Sequence, residues 1–485
     1  MRIYTHDSHA LIFSSQPFSF CEVYINIAMS SQRKKQPLFV IIVFCFAFLA
    51  LILIVTGIAI NQGSIARLKK TIARLESEGF YTDPHKIMTQ CPDSENAALP
   101  LQEALSKFQK PAHIPLIHVK GVDGFSSLTL EKQQDLRQVV SNNLTILPYI
   151  QQAASRPSFV PLLDYDKPIT EWYHPDLDKT YEMLWAMTIL RGSIALVDGH
   201  RQEALECCLL GLKCLHKQFP CPTFTVFIKT LNLQSQTLKL CQEAASGIDL
   251  SEDITKELIH FSDPRYLEEE FPAFLDLNRM EAYDYGARLL EGQNILSPQA
   301  TKWEVLSTKI RPIVRNDVAY IQEQFVEMIK AASEPYWKSK NTFVKIMNDA
   351  AYLSKFHVLP YWTLHHYYEH LINMTCTVAR SHVTRLALAC KLYARKNGSF
   401  PKSLSELAPV YIETVPLDPF TGKPFIYRLL PEGGFVLYSV GLNEKDDCVP
   451  FSPEEIKKAV QGTDQTSDDI IWLEMPREKS PHFHP

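Results

Sequence analysis

From Leu38 to Ile60 the chain reads LFVIIVFCFAFLALILIVTGIAI, a run without a single charge. A helix of that length rises about 34 Å, slightly more than the roughly 30 Å of bilayer hydrocarbon. Apolar side chains occur all round it, whereas a surface helix of a soluble domain needs only one apolar stripe. The run is also longer than the ~7–15 apolar residues of a secretory signal. The flank that follows, NQGSIARLKK, is polar rather than small, so the segment reads as an uncleaved anchor with the lipid bilayer as its partner. The rest of the chain has to be arranged around one membrane crossing.

Charge gives the orientation little leverage. Arg33, Lys34 and Lys35 precede the span and Arg67, Lys69, Lys70 and Arg74 follow it. Long domains cross largely regardless of such a balance, so the expectation is a short inner tail over residues 1–37 and a large outer domain. Met29 opens a compact basic tail, MSSQRKKQP, and is the expected start. Immediately after the span, Ile65, Leu68, Ile72 and Leu75 repeat at heptad spacing, which predicts a stalk helix and allows a homodimer through it.

The chain has 485 residues and a formal charge of −5, with no basic run interleaved with aromatics, so no nucleic acid partner is expected. Only 17 glycines occur, which favours helices over a turn-rich β architecture. Helical patterning dominates from Leu99 to Lys396. One hairpin is explicit. Leu184, Trp185, Thr188 and Ile194 fall on one face, Asp198-Gly199-His200 makes the joint, and Ala204, Leu205, Cys208, Leu212 and Leu215 fall on the next. Its turn, DGHRQEAL, has no second copy at a period of about 34 residues, so a repeat array is not supported. Further helices are predicted over 254–260, 275–291, 315–333, 340–353, 360–376 and 378–396. Cys207, Cys208, Cys214, Cys221 and Cys241 cluster in this region, either as disulfide partners or as small buried apolar groups.

At Asn397-Gly398 the texture changes to proline- and glycine-punctuated sequence. Phe425–Leu429 and Phe435–Val440, joined by LPEGG, read as a β-hairpin. The predicted fold is therefore mainly α: a single N-terminal transmembrane helix, an α-helical body of helical-hairpin or solenoid-like build, and a small α+β C-terminal module with a β-hairpin. The expected boundaries are 1–37 tail, 38–60 span, 61–98 stalk helix and linker, 99–377 body, 378–475 module and 476–485 disordered tail.

One motif invites a catalytic reading. His366, Glu369 and His370 form H-x-x-E-H, in which two imidazoles one helical turn apart would hold zinc and the glutamate would activate its water. A third ligand would have to come from elsewhere, with Glu432 and Glu444 as nominees. Against this, His366, Glu369, His370 and Asn373 also make the polar stripe of an amphipathic helix, a solvated face that needs no metal. Neither a nucleophile elbow nor a phosphate-binding glycine loop is present. Zinc catalysis is therefore the alternative and not the leading expectation.

The last hundred residues carry an ordered set: Tyr393, Gly398, Pro401, Leu404, Leu407, Tyr411-Ile412, Val415-Pro416, Asp418-Pro419, Gly422, Tyr427, Tyr438-Ser439, Gly441, and then Asp468-Asp469-Ile470-Ile471-Trp472. In this order they resemble the C-terminal domain of the type II secretion major pseudopilins (the G-type). The resemblance implies a hairpin packed by alternate residues on the Leu386–Tyr393 helix. It also implies calcium in the loop after the last strand, here at Asp446, Asp447, Asp468 and Asp469, with Asn443 beside them. The loop itself departs from the family, since KDDCVPFSPEEIKKAVQG replaces its glycine-rich stretch. The other end departs further: KKQPLFVIIVFC holds neither the Gly-Phe processing site nor the glutamate that pilin assembly requires. The whole chain looks like membrane-anchored bacterial envelope proteins that reuse this tail. That implies an inner-membrane location with a periplasmic domain, unknown protein partners, and a scaffold role or an association with a secretion-like apparatus.

Overall fold

The computed structural model describes residues 38–86, 91–109, 121–172, 175–217, 224–293, 301–353, 357–431, 433–446 and 470–474. The chain divides into two compact units, Met1–Gly63 and Ser64–Pro485.

In the first unit the described residues belong to helix α1 (Leu38–Ser77), which continues into the second. From Ile42 to Ile60 its large apolar side chains are exposed, with Phe44 at 66% and Phe46 at 67%. Leaving one such side chain in water forgoes about 1.5–3 kcal/mol, so a naked face of this size is stable only in lipid. α1 is long and apolar enough to cross a membrane, as its sequence predicts.

The second unit begins inside α1 and is built from helices. In order they are α2 (Ala98–Lys107), α3 (Gly121–Ser126), α4 (Leu130–Asn142), α5 (Leu147–Ala154), α6 (Pro175–Trp185), α7 (Arg191–Val197), α8 (Arg201–Leu215) and α9 (Phe224–Ala245). Next come α10 (Glu252–Phe261), α11 (Arg265–Leu290), α12 (Lys302–Thr308), α13 (Arg311–Ala332), α14 (Tyr336–Leu353), α15 (Val358–Leu364) and α16 (Tyr367–Asn397). Sequence-local signals set several starts. Ser251 accepts from the Ile254 amide to cap α10, and Thr301 and Glu304 form a reciprocal capping box at α12.

The predicted hairpin is α7–α8. Gly199, at φ +81°, takes the left-handed conformation that a side chain would resist, and the chain turns there. Ala204, Leu205, Cys208, Leu212 and Leu215 are buried as the spacing requires. Between α6 and α7 the chain passes through a fully buried π-turn, Ala186–Leu190, which has no signature in the apolar pattern.

α9 forms a wall between two apolar clusters. Val226 and Leu233 face a cluster built from α2 to α8, centred on Phe125, Leu136, Ile150 and Met183. Phe227, Leu231, Leu238 and Cys241 face a larger one that runs from Ala195 to Trp472. That larger core joins the helical body to the C-terminal residues without interruption.

Two helix boundaries differ from expectation. α11 starts at Arg265 and carries Pro272 in its interior, although proline normally ends a helix at the preceding residue. The segments expected over 360–376 and 378–396 are redistributed: the break falls at His365-His366, and α16 runs unbroken through the later boundary. The β-branched residues that weaken helix propensity there are accommodated. Thr375 donates to the Leu371 carbonyl at 2.7 Å and Thr377 to that of Asn373 at 2.9 Å, with both side chains buried.

After α16, β1 (Ile426–Leu429) and β2 (Phe435–Ser439) form the predicted hairpin, and β3 (Ile470–Glu474) adds to β2, all antiparallel. Tyr427 pairs with Leu437, which pairs in turn with Trp472. Period-two alternation sends Phe435, Leu437, Ile470 and Trp472 into the main core with the buried face of α16, while Val436, Tyr438 and Leu473 share a cluster on the other face. Asp418 ties the preceding turn to this sheet. Its buried carboxylate accepts from the Phe420 amide at 2.9 Å, and from the Ser439 hydroxyl and Val440 amide at 3.0 Å each.

The stalk stripe is directed at the chain's own body. Leu75 is 1% exposed and Leu68 packs against the main core. Thr71 donates to Glu323 of α13 at 3.1 Å, Lys330 pairs with Glu78 at 3.2 Å, and Arg315 donates to Ser64 at 3.3 Å. A second copy would therefore have to meet the opposite, basic face of this helix.

Candidate functional site

The H-x-x-E-H residues lie at the start of α16. His366 is the last residue before the helix, and its carbonyl accepts from the His370 amide at 3.2 Å, so the two histidines stand one turn apart. His366, Glu369 and Asn373 are exposed, as the solvated-stripe reading expects. His370 is not part of that face. Its ring packs edge-on against Phe224 at 5.1 Å and lies 5.7 Å from Tyr367 and 6.2 Å from Phe274. Both ring nitrogens are shielded and make no hydrogen bond. Burial, with a further push from His366, lowers the His370 pKa to about 4, so the imidazole is neutral at physiological pH. It serves as the polar member of an aromatic cluster.

The nominated third ligands do not join this pair. Glu444 forms an ion pair with Lys340 of α14, and Glu432 lies outside the described residues. Among the described residues, no three His, Cys, Asp or Glu side chains are grouped to hold a metal ion.

Of the four acidic residues that the pseudopilin resemblance assigns to calcium, Asp446 is described, while Asp447, Asp468 and Asp469 lie outside the described residues. Both Asp446 oxygens are occupied: one accepts from the Tyr438 hydroxyl at 2.7 Å and the other from Arg428 at 2.9 Å. Asn443 accepts from the Lys445 amide at 2.9 Å. Asp446 therefore closes the turn after β2 onto β1.

A site that the motifs do not mark lies beside β3. The Glu474 carboxylate, 5% exposed, pairs with Lys391 of α16 at 2.5 Å. It also accepts from the Gly247 amide at 3.1 Å and the Trp472 indole at 3.2 Å. A groove of about 420 Å³ opens alongside, lined by Leu250, Thr255, Lys391, Arg395, Phe400 and Glu474 among others. Arg395 in turn donates to the Leu250 carbonyl. These charges are satisfied by one another and by the backbone, so they lock β3 onto α16 and the α9–α10 turn. The sequence signal was a glutamate closing the apolar run IIWLE, legible only once that run is known to be an edge strand buried against α16.

The cysteine cluster resolves toward its bland reading among the described residues: Cys207, Cys208, Cys214 and Cys241 are buried free thiols. Burial raises the Cys207 and Cys214 pKa values to about 12, leaving both inert as nucleophiles. Cys221 lies outside the described residues. Comparison with family models, with characterised proteins and with solved structures finds no match to this chain.

Proposed function

We propose that this is a single-pass, membrane-anchored protein of the bacterial envelope whose large helical domain stands outside the cytoplasm as a non-enzymatic scaffold or interaction module. The observation that carries the reading is the treatment of the residues just past the apolar run. They form no loose linker; Ser64, Thr71, Leu75 and Glu78 are built into the flank of the body along α13. A domain that takes up the chain directly after the apolar run, with no slack between, suits a protein that presents a surface close to its anchor. The residues of the one catalytic motif support the same reading, since His370 is held by aromatic packing.

A place beside a type II secretion-like apparatus rests on the pseudopilin resemblance of the tail. What supports it is the hairpin with Trp472 packed on the second half of α16. Calcium is part of the same proposal, and Asp446 would have to release Arg428 to take part.

The test is fractionation of cells expressing the full chain with a phosphatase fused after Pro485, an enzyme active only outside the cytoplasm. The expected result is a chain that stays with the membrane in alkaline carbonate and an active phosphatase. A carbonate-soluble chain, or a silent phosphatase on a stable fusion, overturns the reading. Metal content of the same preparation checks the catalytic alternative: stoichiometric zinc lost in His370→Ala would restore it.

A further inference from the structure

Resting on the membrane-anchor reading, we infer that the turn from Lys302 to Arg311 is a second membrane contact, an interfacial foot pressed against the headgroups of an anionic leaflet. Three observations on the second unit lead there. The first is the tether. Ser64 is the fourth residue after Ile60, where the apolar run ends, and Arg315 hydrogen-bonds its hydroxyl. Four helical residues span about 6 Å, so Ser64 follows closely on the end of the apolar run, and Arg315, near the start of α13, is tied to Ser64.

The second observation is direction. From Ser64 the stalk and α13 climb together, pairing Ser64 with Arg315, Thr71 with Glu323 and Glu78 with Lys330. Each residue before Arg315 therefore steps back past the Ser64 end of the stalk, the end from which the chain continues into the apolar run. The chain there is Ile310 and Arg311, preceded by α12.

The third is chemistry. Leu306 is 51% and Ile310 38% exposed, two aliphatic side chains in water within one turn. Lys302, Lys309 and Arg311 are exposed around them. The only acid between Lys302 and Arg311 is Glu304, and its carboxylate is engaged by the Thr301 amide in the capping box. Apolar side chains ringed by cations that meet no acid among the described residues are the composition of an interfacial segment, in which the aliphatics enter the headgroup layer and the cations attract anionic lipid. The stalk's Lys69 and Lys70, also exposed, add to the same positive charge.

The experiment uses the full chain in nanodiscs of phosphatidylcholine with a minority of phosphatidylglycerol. A photoreactive phenylalanine analogue is placed singly at Leu306, Ile52 or Val410, and lipid adducts are read by mass spectrometry. Val410 is the distant control. It is 74% exposed and lies close in sequence to Glu413, which pairs with Arg265 at the start of α11. α11 runs antiparallel to α13, with Arg279 on Gln322 and Gly286 on Val318, so Arg265 is at the end away from Ser64.

The expected result is lipid labelling from Leu306 at least about fivefold above Val410, falling by up to about fivefold in Lys309→Gln, the factor that one surface cation contributes. Labelling from Ile52 with Leu306 at the Val410 level overturns the foot while leaving the anchor intact. Adducts from Leu306 to protein in place of lipid overturn it as well. If Ile52 itself fails to label lipid, the anchor reading fails, and the foot with it.

Discussion

Replacing Arg279 with alanine should be the most damaging single change in the body. Its guanidinium is fully buried, and it donates to the Asp276 carboxylate at 2.7 Å, to the Gln322 side-chain carbonyl at 2.8 Å and to the Tyr81 backbone carbonyl. It therefore joins α11, α13 and the turn leaving the stalk. Removing one partner of a buried ion pair costs about 3–5 kcal/mol, because the other charge is left without compensation. A unit of about 420 residues melting in one transition has an unfolding entropy of about 0.9 kcal/mol/K, so the expected fall in Tm is about 3–6 °C. The loss should also depend on pH. Burial raises the Asp276 pKa even with Arg279 pulling it down, and without Arg279 it rises further. A carboxyl whose folded pKa lies above its unfolded one penalises folding at high pH, and the penalty fades as pH falls through the folded value. The deficit should therefore shrink as pH is lowered from neutral toward the ordinary carboxyl range. Adding Asp276→Asn to Arg279→Ala should recover part of the loss. Calorimetry of the full chain in nanodiscs reads all of this. An Arg279→Ala protein that melts with the parent, or a deficit that neither acid nor Asp276→Asn reduces, refutes the argument.

Further changes probe other joints. A Cβ at Gly286 would sit 2.2 Å from Val318 Cγ2, so Gly286→Ala should destabilise the α11–α13 contact by about 1–3 kcal/mol in denaturant titrations, with Val318→Ala restoring it; no loss would mean these helices part freely. Glu474→Gln leaves the Lys391 ammonium buried and unpaired, so amide exchange across 470–474 should accelerate, and Lys391→Met in the same chain should slow it again; unchanged exchange would sink the lock. Burial, aided by Arg385, depresses the His382 pKa from 6.5 to about 3, so the unfolded chain gains a proton that the folded one refuses as pH drops. That histidine should cost about 2 kcal/mol of stability by about pH 5, and His382→Leu should flatten the acid slope by this amount; an unaltered slope would show that the ring takes up its proton in place.

The elements that could be read ahead were those whose cause is local. The span needs only composition, the α7–α8 joint only a glycine after a periodic run, and the hairpin only alternation around LPEGG. What escaped depends on neighbours far away in sequence. α16 crosses its threonine-rich middle because both faces of that stretch are covered, and α11 tolerates Pro272 because tertiary packing outweighs propensity. The stalk stripe was legible as a stripe, but a heptad pattern does not say what it packs on; that this helix meets Glu323 and Lys330, some 250 residues on in the same chain, is written nowhere near it.

The same limit governs the candidate site. H-x-x-E-H guarantees two imidazoles one turn apart and nothing about what they face. Phe224 and Phe274, about 100 to 150 residues earlier, determine that His370 faces rings. A histidine so placed loses its charge before it could act as an acid, and both its nitrogens are buried without a hydrogen bond. Binding a cation there would require the ring to swing out of the aromatic cluster, forgoing its burial. An exposed pair such as His366 and Glu369 would pay no such penalty. A second imidazole, His365, lies 3.4 Å from the His366 ring, but its Nδ1 is engaged with the Tyr361 carbonyl at 2.5 Å, and the three do not form a metal-holding group with any further His, Cys, Asp or Glu among the described residues. The motif's spacing is thus shared with a packing solution, and in this chain the buried member is what its context makes least able to serve as a ligand.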